Sequence, residues 1–392
     1  MKTLLYNGIV VVDGHTSLEQ GGVLIEGDKI IEVLAANDPK FQIYQQDHDV
    51  VFEDVKGNYI MPGLIDIHMH GGVGSDFIDA TKDDIHKIAH NLVEDGCTGF
   101  LASLTAVSQE EIVETLKMYA TIEDDGNGAH FLGVHGEGPY LSREYKAVMI
   151  EEHLRAPSIK ELDEMISASD NRIRQMTIAP ELDGMMEFIE YGAKHNIAMM
   201  IGHSAADSKT TTAAIKHGAV GFTHLYNAMS QHLHRTPGVV TSAFINKDAY
   251  VELIADGFHV DPEVVLMTYL NKGAEKIVLI TDAMLGKGMP DGEFYFSGKN
   301  CIKDGYSVTV IETGRRAGSA VGLDYVIRTM AEITGCTVNE IVQMACINPS
   351  KVIKIDTLKG TLEVGKDADI CIMDKNYQNQ QTYVSGKCVY KR

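Results

Sequence analysis

The stretch Met61-Pro62-Gly63-Leu64-Ile65-Asp66-Ile67-His68-Met69-His70-Gly71-Gly72 decides how the chain is read. It begins as an apolar β-strand and stops in two histidines and a pair of glycines. Side chains at i and i+2 of a strand share one face. His68 and His70 therefore present two imidazoles in one direction, at a spacing that suits one metal ion. Alone, the pair also fits two partly exposed histidines at a strand end. The remaining ligands have to come from elsewhere in the chain.

Working outward, residues from about 60 to 345 alternate short β-branched runs with longer helical patterns, the grammar of βα units around a parallel sheet. Eight candidate strands end near His68, Thr105, Glu137, Glu181, His203, His224, His259 and Asp282. Amphipathic stretches such as Thr81 to Glu94, Ser108 to Tyr119, Asp183 to His195 and Ser208 to His217 lie between them. Eight such units over about 220 residues predict an α/β fold, a (β/α)8 barrel of the TIM type whose reactive groups sit at the C-terminal strand ends. The flanks differ. Leu4 to Val12, Gly21 to Val33 (with a hairpin step at Gly27-Asp28), Gly360 to Met373 and Thr382 to Lys387 read as β runs. Both termini are expected to form one small β-sandwich from residues 1–58 and 350–392, leaving 59–349 for the barrel.

Composition narrows the function. The 392 residues carry 34 Lys and Arg against 55 Asp and Glu, a net charge of −21, with no basic block. Nucleic acid and anionic membrane are disfavoured as partners, and an anionic substrate needs a local cationic pocket. No apolar run approaches the roughly 20 residues of a membrane span. Met1 to Gly8 lacks the apolar core of a signal peptide. The six cysteines are scattered without a Cys-x-x-Cys pair, which fits a reduced cytoplasmic setting.

The strand ends carry the chemistry. His130 to Glu137, Ile197 to His203, Val220 to His224 and Lys276 to Asp282 are each apolar runs that deliver an ionisable group at the end. Singly, each has a plain explanation; Asp282, for instance, fits the cap of a following helix. Together, His68, His70, Glu137, His203, His224 and Asp282 converge on one rim, and their nitrogen and oxygen donors suit Zn²⁺ or a similar first-row divalent ion. Such an ion brings water deprotonation within reach of neutral pH. Hydrolysis also needs a carboxylate to move the proton, and Asp282, alone on the last strand, fits that part.

Pro62 to Gly71, Glu137-Gly138-Pro139, Gly202-His203-Ser204, His224-Leu225-Tyr226-Asn227-Ala228-Met229 and Thr281-Asp282-Ala283 resemble the amidohydrolase superfamily, and more narrowly its N-acetylglucosamine-6-phosphate deacetylase family. The resemblance runs over nearly the whole chain. It implies hydrolysis of the N-acetyl group of a phosphorylated amino sugar, with Glu137, His203 and His224 holding a divalent metal and Asp282 acting as general base and then acid. Zn²⁺ leads, with Fe²⁺, Mn²⁺ and Co²⁺ as alternatives. One ion is expected; His68 and His70, with Glu137, offer a place for a second. Phosphate recognition is implied for Asn227, the Ala228 backbone, Arg235 and His259, and a small-residue substrate loop for Ala317, Gly318 and Ser319. A homodimer is implied as well.

This chain departs from the family pattern in three places. Ala179-Pro180-Glu181 stands where many dinuclear members carry a bridging lysine, which leaves Glu137 as the bridge and Glu181 as an orienting or packing group. Lys146-Ala147-Val148-Met149 places Met149 where the family has a substrate-contacting His, and a thioether donates no hydrogen bond. His153, four residues on, is the nearest alternative. Gly314-Arg315-Arg316-Ala317 is unusually basic for its position. These departures keep other readings open: a different N-acyl substrate, such as N-acetylgalactosamine-6-phosphate, an N-acyl amino acid or a cyclic amide, or a non-catalytic barrel with a binding role.

Overall fold

Runs that are apolar along their whole length become the interior parallel sheet. The computed structural model describes residues 2–296, 299–314 and 316–392. Among these, eight parallel strands follow one another in hydrogen-bonded order: β1 Leu64–Met69, β2 Cys97–Leu104, β3 His130–Glu137, β4 Ile173–Ile178, β5 Ala198–Ile201, β6 Gly221–Phe222, β7 Tyr250–Leu253 and β8 Ile277–Leu279. Every residue of β1 and β2 is buried, as expected of strands covered on both faces. Met69 bridges Ala283 in parallel sense just past β8, and the Asp282 N–H donates to the His68 carbonyl at 2.9 Å, which closes the barrel. Ile65, Ile67, Leu101, Met200, Val278 and Ile280 form one buried cluster with Val352 and Ile353.

The surrounding helices start where the side chains supply caps. Thr81 with Asp84 and Ser108 with Glu111 form reciprocal capping boxes for helices Lys82–Leu92 and Gln109–Tyr119, each satisfying N–H groups that the first turn leaves unpaired. In the first of these helices Ile85, Ile88, Ala89 and Leu92 are buried, the stripe expected of a helix laid on a barrel. Among the described residues, no helix is long and apolar enough to cross a membrane.

The two termini share one eight-stranded sheet. It encloses its own core, which includes Leu5, Val10, Val23, Ile25, Ile60, Ile370 and Ile372. Tyr59–Pro62, expected with the barrel, belongs here: it pairs with Ile9 and Val10 on one side and with Ile370–Met373 on the other. The hand-over falls at Pro62, which has no N–H to continue a ladder, and at Gly63, whose N–H donates to the Asp369 carbonyl. A second difference lies after β8. Gly292–Phe296, Lys299–Asp304, Ser307–Val310 and Arg316–Ser319 form a four-stranded antiparallel sheet that the alternation of βα units does not anticipate.

The terminal sheet is tied to the barrel by an ionic group centred on the buried Asp369. His130, at the start of β3, lies 2.6 Å from Asp124 and 3.4 Å from Asp369, and Lys359 pairs with Asp367 and Asp369. Burial pulls the His130 imidazole down, but the two carboxylates outweigh it and bring its pKa up to about 9. Burial works against the charge on Asp369 too, and His130 and Lys359 override it, lowering the pKa to about 2. His130 therefore contributes stability in full below its usual 6.5, and that contribution is lost as pH rises through about 9. Asp369 contributes above its usual 3.8 and loses its contribution as pH falls through about 2. Asp369→Asn, which leaves His130 only Asp124 and Lys359 only Asp367, is expected to cost about 2 kcal/mol at pH 7. Urea unfolding of both proteins at pH 7 and pH 10 checks this, with the gap between them narrowing at the higher pH.

Candidate active site

The C-terminal rim of the barrel gathers its ionisable groups around one carboxylate. Glu137, ending β3, is 3 % exposed. Its oxygens lie 3.3 Å from His68 Nε2, 3.2 Å from His70 Nε2, 3.3 Å from His203 Nε2 and 3.1 Å from His224 Nε2. His68 and His70 point to one side of β1 as the strand period requires, with ring centroids 5.5 Å apart. Asp282 Oδ1 reaches the same cluster, 3.5 Å from His70 Nε2 and 3.8 Å from His68 Nε2. Three of these residues leave β geometry to get there: His203, His224 and Asp282 have φ of 47°, 28° and 49°. Non-glycine residues in this region cost about 1 kcal/mol or more each, a strain typical of functional sites. It also ends β5, β6 and β8 early, which explains why those strands are short.

Hydrogen bonds fix which ring nitrogen faces the centre. His203 Nδ1 donates to the Tyr145 carbonyl at 2.8 Å, and His68 Nδ1 donates to Glu252 at 2.9 Å. In each neutral ring the remaining nitrogen, Nε2, carries the lone pair and faces inward. His68 Nε2 is buried without a hydrogen bond, and the Nε2 atoms of His203 and His224 are 3.1 Å apart. The donor atoms of His68, His70 and Asp282 lie within 4.8 Å of one another, as do those of His68, Glu137 and His224. Converging lone pairs beside two carboxylates fit a divalent cation.

The charges tell the same story. Burial alone would depress the His68 imidazole, yet Glu137 and Glu252 overcome it and raise its pKa well above the usual value. Burial opposes the charge on Glu137, and His203 and His68 overcome that in turn, holding its carboxyl well below the usual range. The centre demands positive charge, from protons or from a metal.

A cavity of about 190 Å³ opens onto this cluster, with His70, Glu137, His203, His224 and Asp282 in its wall. Asn227, Ala228, His259, Ala317 and Gly318 line it as well. His259 Nδ1 donates to Asp256 at 2.7 Å, and the main-chain N–H groups of Phe258 and His259 both donate to the same carboxylate at 2.8 Å. Gly318, at φ 94°, runs so close to the last strand that a Cβ would lie 3.1 Å from the Asp282 carbonyl oxygen. Ser319 is fully buried and outside the cavity: its hydroxyl donates to the Thr281 carbonyl at 2.6 Å and its N–H to the Asp282 carbonyl at 3.0 Å. Arg235 is not brought to the site. It lies exposed on a short excursion pinned by a His232–Pro237 bridge, and it lines none of the cavities around the cluster.

Met149 does reach the cavity, 6 % exposed and packed with Ala106, Leu141 and Leu154, while His153 does not line it. Glu181 accepts from the Ser204 hydroxyl at 2.7 Å and the Ala205 N–H at 2.6 Å, which holds the loop that follows His203. Arg315 lies outside the described residues. Glu252, in β7, escaped the sequence reading. It is fully buried, bonds His68 and the His224 N–H, and receives Gln175 Nε2 at 2.6 Å. Its one signal was an acid inside the otherwise apolar run Val251 to Ile254.

Comparison with known proteins agrees with this architecture. Residues 59–389 match the amidohydrolase family. The N-acetylgalactosamine-6-phosphate deacetylase of Escherichia coli O157:H7 is 36% identical over 84% of this chain and 87% of its own length. The N-acetylglucosamine-6-phosphate deacetylase of Bacillus subtilis (strain 168) is 33% identical over 99% of this chain and 98% of its own. A solved structure of the deacetylase from Mycobacterium smegmatis, a mutant in complex with N-acetyl-D-glucosamine-6-phosphate, superposes with a TM-score of 0.90 at 27% identity, covering 100% of both chains. The chain is a hydrolytic enzyme that belongs to the amidohydrolase family.

Proposed function

We propose that this protein removes the acetyl group from an amino-sugar 6-phosphate, N-acetylglucosamine-6-phosphate foremost, releasing acetate and glucosamine-6-phosphate. The observation that carries the reading is the convergence of four inward-facing imidazoles and Glu137 beside Asp282, at a cavity also lined by Asn227, Ala228 and His259. Its deacetylase relatives supply the substrate class.

Glu137, His203 and His224 are the residues we assign to the indispensable ion, Zn²⁺ by the balance of nitrogen and oxygen donors. His68 and His70, sharing Glu137 and Asp282, would hold a second. A bound divalent ion polarises the amide carbonyl and eases deprotonation of water. The chain itself supplies the rest. Asp282 accepts the proton of the attacking water on its carboxylate and returns it to the departing amine nitrogen. Glu252 and the Tyr145 carbonyl keep His68 and His203 in the tautomers that leave Nε2 free. Asn227, Ala228 and His259 take the phosphate end, and Ala317 and Gly318 leave room for the sugar. Scattered thiols support a cytoplasmic location; the resemblance alone supports a homodimer.

N-acetylgalactosamine-6-phosphate is the second reading, favoured by Met149, which sets an apolar wall where a hydrogen-bonding His was expected.

Acetate release from both sugar phosphates is expected to require a divalent ion, with chelation abolishing it and Zn²⁺ restoring it; no acetate from either substrate would turn the reading to an N-acyl amino acid or a cyclic amide. Asp282→Asn is expected to lower kcat by about 100-fold or more, with metal content measured alongside to show that the centre survives. Glu252→Gln is expected to weaken metal binding at His68 by about tenfold, seen as a fall in ions bound per chain at limiting Zn²⁺.

A further inference from the structure

Thr105, Val148, Met149 and Phe296 stand in the wall of the catalytic cavity and also in the wall of a second cavity of about 740 Å³. The catalytic cavity itself offers only about 190 Å³. Much of the larger wall comes from the loops after β1, β2 and β8, within residues 74–80, 105–107 and 285–289. In a closed barrel of eight strands in this order, β1 and β2 face β5 and β6. Asn227 and Ala228 follow β6, and His259 follows β7. The groups assigned to the phosphate therefore hold one arc of the rim, and the second cavity opens under the other.

A crevice at a barrel rim is ordinary solvent space unless its place and lining fit a ligand. Its place is set by the reaction. Hydrolysis puts the acyl carbon at Glu137, His203, His224 and Asp282, with the sugar on the side of the phosphate. The substituent on the far side of the amide, the acyl group, then points across the rim to the loops after β1 and β2. The lining suits such a group. Ala106, Val107, Ile150, Leu285, Met289 and Phe294 give the second cavity an apolar wall. Among the described residues, its charged groups are all acids: Asp76, Asp79 and Asp84. The partition suits it as well. Met149, in the shared wall, is unbranched, and its sulfur is held by a single 3.4 Å contact from the Ala106 N–H. A thioether chain of this kind repacks readily around a neighbouring alkyl group.

We infer that the enzyme also hydrolyses amino-sugar phosphates whose N-acyl group is a neutral alkyl chain longer than acetyl, such as butanoyl or hexanoyl, with the tail passing Met149 into the second cavity. The inference rests on the amino-sugar phosphate reading above. The step is unchanged. The oxygen of water bonds to the acyl carbon, the C–N bond breaks, and Asp282 passes the water's proton to the departing nitrogen. A longer carboxylate leaves in place of acetate, and no further reactant is consumed. A tail tipped with a carboxylate, such as succinyl, is refused, because the acids of the second cavity repel it.

Release of glucosamine-6-phosphate from its N-acetyl, N-butanoyl, N-hexanoyl and N-succinyl derivatives tests this. The proteins are wild type, Met149→Ala, Val107→Trp and Ile150→Trp, each loaded with Zn²⁺ and checked for an unchanged melting temperature. Burial of each added methylene is worth about fourfold in binding, so wild-type kcat/KM for the butanoyl substrate is expected to stay within about tenfold of acetyl, with succinyl far below. Met149→Ala, which widens the passage, should raise the hexanoyl-to-acetyl ratio. The two tryptophans, which fill the second cavity from different loops, should lower the butanoyl-to-acetyl ratio about tenfold or more. The inference is overturned if wild-type activity on butanoyl falls further than that, if neither tryptophan changes the ratio, or if succinyl is accepted as well as butanoyl. Should the wild type act on none of the four, the amino-sugar phosphate reading fails on its own. Calorimetric titration of the Zn²⁺-loaded protein with acetohydroxamate and hexanohydroxamate then still judges the cavity. Binding of the longer chain about tenfold tighter, with the gain lost in Val107→Trp, supports the inference, and equal binding overturns it.

Discussion

A carboxylate taken out of water is tolerated only where positive charge or hydrogen-bond donors surround it. Glu137 is that carboxylate, and the site is built to its needs. Its four imidazole neighbours come from β1, β5 and β6, with His70, His203 and His224 just past their strand ends. None of them is near Glu137 in the chain; only a closed barrel brings them within reach. Closure, burial of Glu137 and assembly of a cation site are therefore one event. The left-handed backbone at His203 and His224 is a cost of the same arrangement, offset by the packed strands on either side.

Much of this was legible in the sequence because the chemistry sits at the ends of apolar runs. His68, His70, Glu137, His203, His224 and Asp282 each follow or finish such a run, and a parallel barrel sends all those ends to one rim. Local pattern fails where tertiary contact decides. Tyr59–Pro62 looks like the start of β1, yet its partners are Val10 and Ile370–Met373, far away in sequence. β6 is two residues long because His224 must turn, and no propensity encodes that. Glu252 hid inside a strand, since a lone acid in an apolar run reveals its purpose only once His68 lies against it.

The substrate side followed a different logic. Its walls come from three unrelated sources: the loop after β6, the Asp256 turn after β7, and an antiparallel sheet whose first strand alternates exposed and half-buried residues. Strands of four to six residues give too short a pattern to stand out beside βα units, which is why the sheet went unread while the barrel did not. The resemblance gave Arg235 to the phosphate and Ser319 to the substrate loop. In the single chain the first lies exposed, outside the cavity wall, and the second is a strut beneath Thr281 and Asp282.

That strut bears on how the enzyme can diverge. Ser319 hydrogen-bonds to the carbonyls of both Thr281 and Asp282, and Gly318, at φ 94°, passes so close that a Cβ would crowd the Asp282 carbonyl. Among the described residues, the far strands of the sheet, 292–296 and 299–304, have no such bond to residues 281–282. A lineage is free to rewrite those outer strands, and with them the sugar it accepts, without disturbing hydrolysis. At Gly318 and Ser319 that freedom stops, because drift there would move Asp282 itself. The innovation allowed to this scaffold therefore has a boundary, and it runs between two neighbouring residues, Ala317 and Gly318.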